Sequence, residues 1–240
     1  YVGTAKVDPV QFKNVVAGLC KACKENKMAL LGGETAEMPG LYPAGEYDLV
    51  GTIVGCVKKS ELITGKSIRA GDVIIGFPSG GLQTNGFSLA RRVIFDLCQY
   101  SWKDKLPGTN QTFGEALLAV HKSFLKPVAK LLERKVKITG MAHITGGGFP
   151  DNIPRVLPKA VNAEIDRSSW EVPTIFKFIQ NQGKVDRDEM YRVFNMGIGF
   201  VLIIPKNELK KATNILKAMH QPYNVIGVIR KGSGVVTYKN

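Results

Sequence analysis

Residues 197–204 read GIGFVLII, with no charged or hydrogen-bonding side chain among them. A strand with one wet face alternates apolar and polar residues. An unbroken apolar run of this length has no wet face and belongs at the centre of a sheet. Strand-like and helix-like segments take turns along the rest of the chain, which predicts a layered α/β or α+β fold. At 240 residues there is room for one large domain or two modest ones.

Asp8 and Pro9 open the first helix, an aspartate cap followed by a first-turn proline, with Gln11 at the capping-box position. Phe12, Val15, Val16, Leu19 and Cys23 follow at helical spacing. Residues 28–31 read as a short strand, 47–57 as a longer alternating one, and the polar stretch 58–71 as the crossover between two domains. The second domain is expected to open with a strand at 72–77, a glycine-rich loop at 78–86 and a helix at 87–97. After a loop at 100–111, Thr112 and Glu115 form a capping box for a helix that continues to 132, interrupted at Pro127. Further strands are expected at 135–144, 160–166, 197–204, 224–230 and 234–239. Helices are expected at 173–182, closed by Gly183, at 186–194, and at 206–219.

Lysine and arginine outnumber aspartate and glutamate by 33 to 20, a net charge of +13. That balance favours anionic partners. The cations are scattered in pairs such as Lys58-Lys59, Arg91-Arg92 and Lys210-Lys211, with no basic block interleaved with aromatic residues. A phosphorylated small molecule suits this pattern better than nucleic acid. No apolar run is long enough for a membrane-spanning helix, so no membrane partner is expected. The start, YVGTAKVDPV, has neither the pattern of a signal peptide nor an initial methionine, and reads like the middle of a longer protein. Cys20 and Cys23 form a lone CxxC, late in a helix and without the second ligand pair that zinc requires. With Cys56 and Cys98 they are expected to be buried, unpaired thiols of a reducing cytoplasm.

Three glycine-punctuated loops carry candidate chemistry. In HITGGGFPDNIPR, the glycines Gly146, Gly147 and Gly148 expose main-chain amides, Asp151 or Asn152 is expected to cap a short helix, and Arg155 supplies a forked cation. Together they describe an oxyanion or sugar-phosphate site. His143, just before these glycines, can bond a substrate or relay a proton near neutral pH. In GGETAEMPG, Gly32 and Gly33 permit a sharp turn and Glu34 projects from a strand end. A carboxylate there suits magnesium, which takes one or two carboxylates plus phosphate oxygens, and Thr35 can bond phosphate or orient the glutamate. In PSGGLQTNGFSLARR, Ser79 follows a strand and Asn85 precedes a helix, a geometry that seats an anion on a helix N-terminus. It is not a Walker loop, because no Gly-Lys-Ser/Thr follows. His121 and His220 fall on expected helices and read as packing residues, as does Trp170. Asn195 and Gly197 either line the site or make the turn.

GGETAEMPG, YDLVG, SGGLQTNGFSLARR, AHITGGGFPDNIPRVLP, SSWEVPTIF and EMYRVFNMGIG occur in this order along the chain. Taken together they resemble the phosphoribosylformylglycinamidine cyclo-ligase family, also called aminoimidazole ribonucleotide synthetases, over nearly the whole length. The resemblance implies a two-domain PurM-like α/β (α+β) fold. Residues 1–66 would be the remainder of an N-terminal ATP-binding and dimerisation domain, and residues 67–240 a complete C-terminal domain with a mixed sheet flanked by helices. It implies a cytoplasmic, homodimeric enzyme of purine biosynthesis. Using ATP and Mg2+, it would close formylglycinamidine ribonucleotide into aminoimidazole ribonucleotide through a phosphorylated formamide. By the same resemblance, Glu34, Thr35, Gly32 and Gly33 belong to the nucleotide and metal side. Ser79, Gly146, Gly147, Gly148, Asn152 and Arg155 hold substrate, and His143 and Asn85 line the reacting centre.

The sequence departs from the family pattern in three places. Tyr1 falls near where the family's N-terminal nucleotide motif ends, so the chain is expected not to turn over by itself. Gln83 stands where the family usually has histidine. LLAVHKSF, residues 117–124, replaces a pattern with proline, threonine and tyrosine at the positions of Val120, His121 and Phe124. These departures keep two other readings open: a related ATP-dependent enzyme with a different acceptor, and a nucleotide-binding paralogue without catalysis.

Overall fold

A computed structural model describes residues 1–239 and divides them into two compact units, 1–62 and from 63 onward. The sheets of both units are mixed. No helix among the described residues is long and apolar enough to cross a membrane.

The first unit holds β1 (Val2–Thr4), α1 (Pro9–Glu25), β2 (Thr35–Glu37) and β3 (Tyr47–Leu49). β1 is central, parallel to β2 and antiparallel to β3. Asp8 caps α1 by accepting hydrogen bonds from the Val10 N–H (2.8 Å) and the Gln11 N–H (3.1 Å), and Pro9 takes the first turn. Residues 28–31, expected as a strand, have no strand partner among the described residues, and Leu31 is 94% exposed. The expected strand 47–57 is paired only at Tyr47–Leu49, because β1 offers just three residues of ladder and one further reciprocal pair, the Val50 N–H to the Tyr1 carbonyl (3.0 Å) and the Tyr1 amino group to the Val50 carbonyl (2.8 Å). Beyond it Ile53 and Val54 stand exposed. All four thiols are free but none is buried, contrary to expectation. For Cys20 and Cys23 the reason is that α1 has no buried residue, so its apolar stripe offers them no interior; Cys56 stands in exposed coil, and Cys98 packs half-buried against the core of the second unit.

The second unit carries a six-stranded sheet. Its strands are β4 (Val73–Pro78), β5 (Gly140–His143), β6 (Val161–Asp166), β7 (Ile198–Ile204), β8 (Asn224–Lys231) and β9 (Val236–Lys239), in the order β5-β7-β4-β8-β6-β9. The apolar run at 197–204 is an inner strand, as its composition predicts: β7 lies between β5 and β4. Its side chains divide between two cores. Val201 and Ile203 join Ile74, Ala163 and Ile165 on one face. Leu202 and Ile204 join Ile75 and Phe77 on the other. The first face is covered by α2 (Phe87–Arg91), by α6 (Thr174–Gly183) through Phe176 and Ile179, and by α7 (Arg187–Val193) through Met190. The second is covered by α4 (Leu125–Glu133) through Leu131 and α8 (Leu209–Ala218) through Ala212 and Leu216.

Several boundaries differ from expectation for local reasons. The helix at 87–97 is present, but Arg92–Leu97 is wound as a wider π-helix. The Thr112–Glu115 capping box forms, yet the helix it opens, α3 (Phe113–Leu117), ends after five residues. Residues 118–124 leave the helix, and α4 restarts at Leu125. Pro127 therefore lies in a first turn, where its missing N–H has no intrahelical acceptor to lose, and it interrupts nothing. Gly183 is the last residue of α6, and Lys184 takes the left-handed closing position at φ 50°.

Candidate active site

Three strand ends meet at one end of the larger sheet. β4 leaves it opposite Ile198 and β5 leaves it opposite Phe200, where the antiparallel β7 begins. The loop after β4 carries Ser79 and Asn85. The loop after β5 carries the three glycines and leads into α5 (Gly148–Asn152). These are two of the loops singled out from the sequence, and a Cβ built on Gly146 would lie 3.0 Å from Asn85 Oδ1.

Each loop is held from beneath by a buried asparagine. Asn152 is 3% exposed. Its Nδ2 donates to the carbonyls of Gly148 (2.7 Å) and Gly146 (3.2 Å), and its Oδ1 accepts from Thr145 Oγ1 (3.0 Å). Asn195, equally buried, donates to the carbonyls of Gly81 (2.9 Å) and Leu82 (3.2 Å). Its Oδ1 accepts from the Gly197 N–H (2.8 Å) and faces the Ser79 hydroxyl at 2.9 Å. Asn152 and Ser79 thus spend their polar atoms inside the protein, supporting loop backbone. What the triple-glycine loop leaves free is main chain: the N–H groups of Gly146 and Gly147 have no acceptor among the described residues. Gly148 lies at φ 57°, and a Cβ there would stand 1.9 Å from the Tyr191 carbonyl oxygen, so no side chain fits. Arg155 follows in a short 3-10 turn, Ile153–Val156, exposed and without a protein partner among the described residues.

His143, the last residue of β5, does not stand alone. Its ring centroid lies 5.2 Å from that of His121, 6.1 Å from Phe124 and 6.2 Å from Phe200. Gln83 Nε2 is 3.1 Å from His121 Nε2 and 3.5 Å from His143 Nε2. Partial burial, and then the neighbouring His121, pull the His143 imidazole below its ordinary value. His121 was expected on a helix as a packing residue. The break at 118–124 puts it at the site instead. The sequence does contain a signal for that break: Ser123 Oγ accepts the Leu125 N–H (3.3 Å), and Pro127 marks a first turn.

The GGETAEMPG loop belongs to the smaller unit. Gly32 and Gly33 are exposed coil, and Glu34 and the half-buried Thr35 lead into β2. Glu34 Oε1 accepts the Thr35 N–H at 2.8 Å, and the carboxylate is exposed. No group of three histidine, cysteine or acidic residues that could hold a metal occurs among the described residues. Glu34 therefore fits a magnesium ion only as one carboxylate among waters and phosphate oxygens, which is how that ion is commonly held.

Comparison with known proteins matches two family models: AIR synthase related protein, N-terminal domain, over residues 1–57, and AIR synthase related protein, C-terminal domain, over residues 69–239. The phosphoribosylformylglycinamidine cyclo-ligase of Alkaliphilus metalliredigens is 43% identical over 233 residues, 97% of this chain and 67% of that protein. The enzyme of the same name from Bacillus subtilis is 44% identical over 235 residues, 98% of this chain and 68% of that protein. Among solved structures, the hydrogenase maturation protein HypE in complex with ATP shares the fold, with a TM-score of 0.65 at 16% identity, over 99% of this chain and 68% of that one.

Proposed function

This chain belongs to the AIR synthase related family, and from that premise we infer that it is a phosphoribosylformylglycinamidine cyclo-ligase: it closes the imidazole ring of aminoimidazole ribonucleotide in purine biosynthesis at the cost of ATP. The formamide oxygen of the substrate attacks the γ-phosphorus of ATP, and ADP leaves. A nitrogen of the same molecule then attacks the activated carbon, loses its proton, and inorganic phosphate departs with the original oxygen. Such chemistry asks for positioning and charge neutralisation more than for a covalent protein nucleophile.

The convergence of Asn85, His143 and the bare amides of Gly146 and Gly147 at one end of the sheet carries the assignment of roles. Those amides and Arg155 hold the substrate phosphate. Asn85 and His143 contact the reacting group. Ser79, Gly148 and Asn152 keep the loops in shape beneath it. In the smaller unit Gly32, Gly33, Glu34 and Thr35 form the nucleotide side, with Glu34 ligating Mg2+. That ion, when bound, neutralises phosphate charge. The unit's exposed apolar residues, Leu31, Ile53 and Val54 among them, support pairing in a homodimer. The free thiols support a cytoplasmic location.

The deciding experiment incubates the protein carrying this chain with formylglycinamidine ribonucleotide, ATP and Mg2+, and follows ADP and aminoimidazole together. One aminoimidazole per ADP is expected. ADP release without aminoimidazole would assign another acceptor, and binding without ADP release would remove catalysis. A crystal soaked with the substrate should show its phosphate at Gly147, and density elsewhere would overturn the loop assignment.

A further inference from the structure

We propose that His121 is a positioning residue for His143, acting through the Gln83 amide to hold His143 as the neutral tautomer with its proton on Nδ1. This rests on the reading of His143 as an active-site residue. The chain of contacts starts at a carbonyl. His121 Nδ1 lies 3.0 Å from the Lys122 main-chain oxygen, which can only accept, so Nδ1 carries the proton. In a neutral ring the other nitrogen, Nε2, is then a lone pair and needs a donor.

Gln83 supplies that donor. Its Nε2 has two hydrogens, one for His121 Nε2 at 3.1 Å and one for His143 Nε2 at 3.5 Å. The opposite amide orientation would set an acceptor against the His121 lone pair. Gln83 has little freedom to leave: it is 8% exposed and its backbone sits at φ 62°. Its Oε1 is buried without a partner, close to Gly199, where a Cβ would approach it to 2.5 Å. With Nε2 of His143 engaged as an acceptor, its proton is on Nδ1. Whatever that nitrogen meets in the bound substrate, it meets as a hydrogen-bond donor. His143 thereby serves to polarise an oxygen, and general-base work falls to another group.

Imidazole nitrogen–proton correlation spectra of the 15N-labelled protein without substrate, recorded at about pH 8, test this directly. His121 and His143 should both appear as Nδ1–H tautomers. In His121→Phe, which keeps an aromatic ring beside Phe124, the His143 tautomer ratio should move towards Nε2–H by roughly fivefold, the equilibrium worth of one ordinary hydrogen bond. Gln83→Met, similar in size, should move it equally. An Nε2–H tautomer at His143 in the unmodified protein, or a ratio unmoved in either variant, overturns the proposal. The measurement needs no turnover, so it is independent of the ring-closure assay that tests the proposed function.

Discussion

Asn152→Ala separates the support of the triple-glycine loop from the loop's own contacts. The side chain makes three good hydrogen bonds, to Gly148, Gly146 and Thr145. At ~1 kcal/mol net apiece, their loss should destabilise the larger unit by roughly 3 kcal/mol. For a domain of this size that is a fall in melting temperature of roughly 6–12 °C. If about half of the loss is loop disorder that the substrate must reverse on binding, KM for formylglycinamidine ribonucleotide should rise roughly tenfold. KM for ATP should not follow it. Asn152→Asp should be no better than alanine, since it retains an acceptor for Thr145 but offers carboxylate oxygens to two carbonyls. Thermal melts and steady-state kinetics on the same preparations give both numbers. A lower melting temperature with substrate KM within about twofold of the parent would show that the Gly146 and Gly147 amides do not meet the substrate. An unchanged melting temperature would refute the clasp itself.

His143 is held below its ordinary value by burial and then by His121, so the folded state takes up its proton less readily than the unfolded chain. Its neutral form therefore contributes stability above the unfolded value of 6.5, lost as the pH falls below that value and through the folded one. Denaturant titrations between about pH 7 and 5 should show a slope that His143→Gln flattens, and an equal slope in the variant contradicts the assignment. Arg167 is buried, 3.7 Å over the Tyr238 ring and 4.8 Å over the Tyr191 ring, and paired to Asp188 at 2.5 Å. Because Asp188 is largely exposed, Arg167→Met should cost mainly the ring contacts, about 2 kcal/mol in urea unfolding, with substrate KM unmoved. Glu34→Ala should weaken Mg2+-dependent nucleotide binding at least tenfold, roughly the loss of one charge-assisted contact, and calorimetry showing unaltered affinity would remove Glu34 from the site.

What can be read from the sequence follows the range of the forces involved. Val201 to Ile204 announce an inner strand because both faces of the residue pattern are apolar, a purely local property. Asp8, Thr112 and Asp186 announce helix starts because a cap bonds amides only two or three residues away. Residues 28–31 and 50–57 have strand composition, but a strand exists only where a ladder partner lies alongside, and β1 supplies too little. His121 was hidden by a helical period that runs on through 118–124, although the backbone there leaves the helix. The loops around His143 are legible from their glycines and polar residues. The link between His121 and His143 is not, because Gln83 makes it from 38 and 60 residues away with a left-handed backbone. Nor does composition reveal that Asn152 faces inward and Arg155 outward from the same short segment.

β7 is a party wall. From Phe200 to Ile204 its alternate residues furnish two separate interiors, Val201 and Ile203 one, Phe200, Leu202 and Ile204 the other. Pulling α4 and α8 away would wet one side of a strand whose reverse still secures α6 and α7. Neither room can be emptied without bringing down the partition, so residues from 63 onward should melt in a single step, and amide exchange on the two sides of the sheet should slow to one common rate.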